Sequence, residues 1–128
     1  MIYFKVLNNW WPKAIMALAI ISCSTKPELS DLEIKGKDKL VYLDGQTFNG
    51  TAWSSDGKTL SITCHNGIVD SMVVFHENGL KAIKNTSLYG EGTCYDVYGK
   101  PISFEEFIEC YPGLVERVAA FSYELKGL

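Results

Sequence analysis

The chain has 128 residues, 47% hydrophobic and 21% charged, with a formal charge of −3. That balance suits one small domain with a single core plus whatever targeting segment it carries. The basic residues form no Lys/Arg stripe of the kind that neutralises a phosphate backbone, so nucleic-acid binding is not expected.

Residues 1–23 read MIYFKVLNNWWPKAIMALAIISC. The apolar run from Ala14 to Ser22 is too short for a spanning helix, which needs about 20 apolar residues. It has the length of a signal-peptide hydrophobic region, with Lys5 and Lys13 as the positive flank. Pro12, after Trp10 and Trp11, breaks any continuous helix and argues against a buried cytosolic helix. The run ends in Ile20, Ile21, Ser22 and Cys23, which resembles the lipobox of bacterial lipoproteins. The resemblance implies a signal peptide over 1–22, cleavage after Ser22 and lipidation of Cys23. It also implies a place in the bacterial cell envelope, lipid-anchored to a membrane, periplasmic or surface-exposed. At about 0.8 kcal/mol per buried CH₂, several acyl chains make such an anchor permanent. Loss of Lys5 and Lys13 takes the 12 basic residues to 10 against 15 acidic ones, a formal charge of −5. Residues 23–39, polar and charge-mixed after the cysteine, read as a lipid-anchored flexible tether.

From Leu40 short apolar runs alternate with turn dipeptides: DG at 44–45 and 56–57, NG at 66–67 and 78–79. Asp, Asn and Gly tolerate the positive φ of tight turns, so this spacing predicts a β-meander. Strands are expected near 40–43, 47–54, 59–64, 68–76, 80–87 and 92–96. The dipeptides recur 22 residues on, and GTAWSSDGKTL (50–60), MVVFHENGLKA (72–82) and GTCYDVYGKPI (92–102) share an aromatic at the fourth place and a glycine at the eighth. The aromatics are Trp53, Phe75 and Tyr95; the glycines are Gly57, Gly79 and Gly99. The third copy follows after 20 residues, which predicts a shorter connecting turn. Each unit is expected to be a hairpin that must stack on its neighbours.

These turn dipeptides and aromatics, over residues 40–102, resemble MORN repeats in the divergent bacterial form of YwqK-type antitoxins. Met72 stands where that pattern has glycine, and Tyr98 where it has Asp or Asn.

Residues 103–128 form the last section. Ser103 and Glu106 have capping-box spacing. Phe104, Phe107, Tyr111, Leu114, Val118, Phe121 and Leu125 recur at steps of three and four, which places them on one helical face. Pro112 suits the first turn of a second helix, so helices are expected over 104–110 and 112–126. The stripe either closes the core against the sheet or meets a partner or membrane surface; five glutamates on its polar side disfavour an anionic bilayer. The expected fold is mainly β with C-terminal helices: an antiparallel meander of about six strands, built from three hairpin repeats and covered by the helical segment.

DGKT at 56–59 mimics half of a phosphate loop. The pattern GxxxxGK[ST] needs a glycine five places earlier and a helix after it. Here Gly50 lies seven places before Gly57 and strand-like TLSITC follows, so no nucleotide is expected. Cys64, Cys94 and Cys110 have no CxxC spacing, so no metal site is expected. In an exported domain Cys64 and Cys94 are a possible disulfide; the alternative is three small buried thiols. Cys64 and His65 are adjacent, and neighbours on a strand face opposite ways, so they form no dyad; both His65 and His76 read as turn-flanking surface residues. Trp53, Phe75 and Tyr95 either fill a core face or form a binding face for a glycan or peptide. No catalytic set and no cofactor is expected. The chain reads as a membrane-anchored envelope lipoprotein acting as a non-enzymatic protein-interaction or scaffold module with a protein partner. The alternative is an antitoxin- or immunity-like protein that binds and blocks a partner toxin.

Overall fold

A computed structural model describes residues 26–87, 90 and 92–127. The expected signal peptide and Cys23 lie outside the described residues.

Alternation of apolar and charged side chains organises the chain earlier than expected. After a 3₁₀ turn at Leu29–Asp31, strands β1 (Leu32–Lys35), β2 (Leu40–Leu43) and β3 (Gln46–Thr47) form a three-stranded antiparallel sheet. Leu29 and Leu32 are both 0% exposed and Ile34 is buried, while Glu33 and Lys35 face solvent. The expected tether over 23–39 is therefore corrected: from Pro27, whose carbonyl accepts the Trp53 N–H, the chain belongs to the fold. Charge-mixed composition suggested a linker, but the two-residue period of Leu32 and Ile34 makes a half-buried strand.

Six further strands form a second antiparallel sheet in chain order: β4 (Gly50–Trp53), β5 (Leu60–His65), β6 (Ile68–Phe75), β7 (Lys81–Asn85), β8 (Thr93–Tyr95) and β9 (Pro101–Ile102). This is the expected meander, with nine strands in two sheets where about six were counted. The strand expected over 47–54 divides because Phe48 turns inward: it is buried, and its N–H donates to the Val41 carbonyl. Gly67, at the β5–β6 turn, joins the sheets. It donates to the Phe48 carbonyl and accepts from the Val41 N–H. Its φ is +79°, and a Cβ there would lie 2.9 Å from the Val41 carbonyl oxygen, so the junction requires glycine.

Helices α1 (Phe104–Cys110) and α2 (Pro112–Ser122) follow. Ser103 Oγ accepts from the Glu106 N–H, and Pro112 opens α2. Phe107, Leu114 and Leu125 of the apolar stripe are buried, and Tyr111, Val118 and Phe121 pack against the core. Phe104 is exposed. The second helix ends at Ser122, short of the expected 126; beyond it Lys126 offers its carbonyl to the Ile34 N–H, tying the end of the described chain to the edge of β1. No helix among the described residues is long and apolar enough to cross a membrane.

Pairing register sorts the six-stranded sheet into two faces. Ala52, Ile62, Met72 and Asn85 lie opposite one another, as do Leu60, Val74, Ile83, Cys94 and Ile102. The apolar members of these rows belong to, or pack against, one cluster with Leu29, Leu32, Ile34, Val41, Phe48 and the helical stripe. The whole hydrophobic core thus sits on one side of the sheet. Because Leu32 is wholly inside it, Leu32→Ala is expected to lower unfolding free energy by about 2–4 kcal/mol, read as a lower urea midpoint; a true tether position would leave the midpoint unchanged.

Candidate functional site

The second face of the large sheet holds the sequence-predicted aromatics. Across β4 to β8 the register aligns Trp53, Ser61, Val73, Lys84 and Thr93 in one row, and Thr51, Thr63 and Ser71 in the next. Phe75 opposes Lys81, and Tyr95 opposes Pro101. Trp53, Phe75 and Tyr95 are half-buried, and none belongs to the core cluster or packs against it.

Trp53 on β4 and Phe75 on β6 stack across the intervening strand with ring centroids 5.5 Å apart and planes 25° apart. Ser61 of that strand is only 6% exposed although it lies on the face away from the core. Such a pair contributes about 0.5–1.5 kcal/mol beyond the area it covers. Tyr95 stays apart from the stack. Between Phe75 and Tyr95 lies a groove of about 450 Å³, lined also by Leu80, Lys81, Gly79 and Gly99. The three aromatics are therefore a stacked pair plus a separate ring across a groove.

The glycine turns behind the aromatics share one geometry. In each, the N–H of Gly57, Gly79 or Gly99 donates to the carbonyl three residues earlier, on Ser54, His76 or Asp96, with the glycine at positive φ. The side chain that completes each turn differs. Asp56 accepts from Ser54 Oγ, Thr59 Oγ1 and the backbone N–H groups of Lys58 and Thr59. Asn78 accepts from the Leu80 N–H and donates to the Val97 carbonyl of the next turn. In the third unit Asp96 takes over, accepting from the N–H groups of Tyr98 and Lys100, which frees position 98 for a tyrosine. The unequal spacing of the units also has its source here. Ser54 closes on Leu60 where His76 closes on Leu80 and Asp96 on Lys100, so the first turn is longer by two residues. The segments from Leu60 to Phe75 and from Leu80 to Tyr95 are equally long; the expected shortening of the later connection does not occur.

DGKT is thus a self-contained Asx turn, its four bonds directed inward at one carboxylate. Burial works to raise the pKa of Asp56, but the bonds from Thr59 and Ser54 and the two backbone N–H groups outweigh it and hold the carboxyl down at about 2. A lowered carboxylate adds stability that is present above its unfolded pKa and lost as pH falls toward 2. Asp56→Ala is accordingly expected to cost about 1 kcal/mol at pH 6 and much less near pH 2, measured by thermal melts of both proteins across that range.

The histidines part company. His65 is exposed, as expected, whereas its neighbour Cys64 is buried on the core face. His76 is 6% exposed, which corrects its surface assignment. Its Nε2 lies 2.9 Å from the Tyr95 carbonyl oxygen and so carries the proton, and its ring sits edge-on to Tyr111 at 4.7 Å. This links the second turn to β8 and to the helices. Sequence reading missed it because the aromatic partners come from the far end of the chain.

Cys64 and Cys94 are free thiols, correcting the possible disulfide. They lie on β5 and β8 with β6 and β7 between, and three strand spacings of about 4.8 Å alone set them at least about 14 Å apart, beyond the reach of about 7 Å between bonded Cα atoms. Burial, with the charge of Asp70 added, pushes the Cys64 thiol up to about 11, and burial also raises that of Cys94. Both are thus held as neutral thiols. Unfolding without reductant, alkylating and digesting should recover both as alkylated peptides; a peptide pair joined through 64 and 94 would contradict the separation.

Among the described residues no group of three His, Cys, Asp or Glu side chains is placed to hold a metal ion. A hollow of about 770 Å³ beside β2 and β4 is open and lined by charges of both signs, including Lys26, Asp31, Asp44 and Lys126. Comparison of the chain with protein-family models, curated proteins and solved structures gives no match.

Proposed function

We propose that this chain is a membrane-anchored envelope lipoprotein whose sheet domain acts as a non-enzymatic protein-interaction or scaffold module, docking its partner on the face of Trp53, Phe75 and Tyr95. The carrying observation is that each repeat unit places an aromatic on the one face of the large sheet that the core does not use. A solvated sheet face ordinarily carries polar side chains. Aromatics there supply large contact area with little rotamer entropy to lose on docking, which is why they are enriched at interfaces.

The sequence resemblance supplies the anchor, and the fold sets its reach. With lipid on Cys23 and the folded domain beginning at Pro27, the four connecting steps span at most about 14 Å. The module would then work close to the bilayer.

Two variants test the two halves of this reading. Cys23→Ala should lose fatty-acid label and leave the membrane fraction; undiminished partitioning would remove the anchor. A photo-crosslinking residue at Thr93 should give discrete adducts in intact cells, while the same residue at Glu109 on α1 should not. Absence of Thr93 adducts, or equal adducts at both sites, would remove the docking face.

A further inference from the structure

Charge on the aromatic face is distributed unlike charge on the rest of the chain. The sequence carries 15 acidic residues against 12 basic ones, yet none of the paired positions on this face is a carboxylate; Asp70, the one carboxylate in the strands of the large sheet, is exposed and sits unpaired at the bulge opposite Thr63 and Cys64. The paired positions hold three aromatics, Val73, the pair His65 and Ile68, a set of Ser and Thr hydroxyls, Pro101, and two lysines, Lys81 and Lys84. Both lysines are exposed, and the ion pairs among the described residues, Glu33 with Lys35 and Glu77 with Arg117, involve neither. Lys81 also lines the groove between Phe75 and Tyr95. At the end of that groove Gly79 and Gly99 present no side chain, and a Cβ added to either would meet nothing within 4 Å. The groove is therefore open to an incoming side chain, with an ammonium beside it.

We infer that the partner is an acidic protein segment that seats an apolar side chain between Phe75 and Tyr95 and sets carboxylates against Lys81 and Lys84. The inference rests on the protein-interaction reading and adds the chemistry of the partner. Two other occupants fit the face less well. A second copy docked face to face would set the two lysines against their own kind with no carboxylate at these positions to answer them, and like charges brought together cost affinity. A bilayer surface needs rings that project and insert, whereas Trp53 and Phe75 are half-buried and stacked on each other. An acidic segment with apolar side chains uses the groove, the ring pair and the ammonium groups together, and charge complementarity of this kind selects the partner and its register.

The test uses the full chain in detergent and a fluorescein-labelled peptide alternating glutamate and phenylalanine, with a twin in which lysine replaces glutamate, read by fluorescence anisotropy. The acidic peptide is expected to bind about tenfold tighter than its twin or better, and to weaken as salt is raised. Lys81→Glu with Lys84→Glu should reverse that preference; both sites are exposed, and thermal melts confirm that the double variant folds. Tyr95→Ala should weaken the acidic peptide without restoring the twin. Equal binding of the two peptides, or an unchanged preference in the double variant, overturns the inference. So does tighter binding of oligogalacturonate, or of phosphatidylglycerol vesicles, that depends on the same lysines. Crosslinking from Thr93 separates the two levels. Adducts that persist at full yield in the double variant remove the acidic-partner chemistry and leave the interaction module standing; no adducts in either protein remove the module itself.

Discussion

The fold depends on one small closure made three times: a glycine N–H given back to the carbonyl three residues earlier, at Gly57, Gly79 and Gly99. Positive φ at the glycine lets the chain reverse without a Cβ in the way, and reversal at these places sets the register of the pairs β4–β5, β6–β7 and β8–β9. Since side chains alternate with a period of two, register alone decides which residues meet the core. A slip of one residue would carry Ala52, Ile62 and Val74 outward and Trp53 and Phe75 inward. The turn chemistry is therefore upstream of both the core and the outer face, which explains why each unit spends a polar side chain, Asp56, Asn78 or Asp96, on tying its turn shut.

Those three side chains show how one requirement is met by different residues. The turn needs an acceptor for free N–H groups at its centre, and Asn and Asp satisfy backbone N–H groups two residues on. It does not need that acceptor at one fixed position. Moving it from 78 in the second unit to 96 in the third keeps the closure and releases Tyr98, which is exposed. What looks like decay of the repeat in sequence is substitution of one satisfied turn for another.

Much of the fold was legible because its signals are local. Turn dipeptides, aromatic spacing, the serine cap and the helical stripe each report on their own few residues, and the meander with C-terminal helices follows from them. The remainder needed partners distant in sequence. Leu29, Leu32 and Ile34 lie among charges and read as tether; only pairing with β2 and burial in the shared cluster make them core. His76 looked like a turn residue until Phe107 and Tyr111 came to cover it. Cys64 and Cys94 are both on strands, as read, but the number of strands between them is a property of sheet order. For the candidate face, the sequence named the three aromatics and left their direction open between core and surface. The missing information was parity: whether the fourth place of each unit faces the same way as Ala52 or the opposite way, which the pairing with β5 decides.

Closure of the sheet edges narrows how anything can dock. An open strand edge invites a partner to add a strand of its own. Here the outer edge of β4 is engaged where Trp53 donates to the Pro27 carbonyl, and β9 at the other side is two residues long and begins with Pro101, which has no N–H to offer. The edge of β1 is held at Ile34 by the Lys126 carbonyl. Strand addition is thereby discouraged at each of these edges, and one face of the large sheet is committed to the core. Among broad surfaces the other face remains, and it is there that the repeat places its aromatics and two lysines. Binding through that face, as proposed, would require no backbone pairing, so its selectivity would come from side chains: ring area for affinity, the groove beside Gly79 and Gly99 for shape, and the lysines for the sign of the partner's charge.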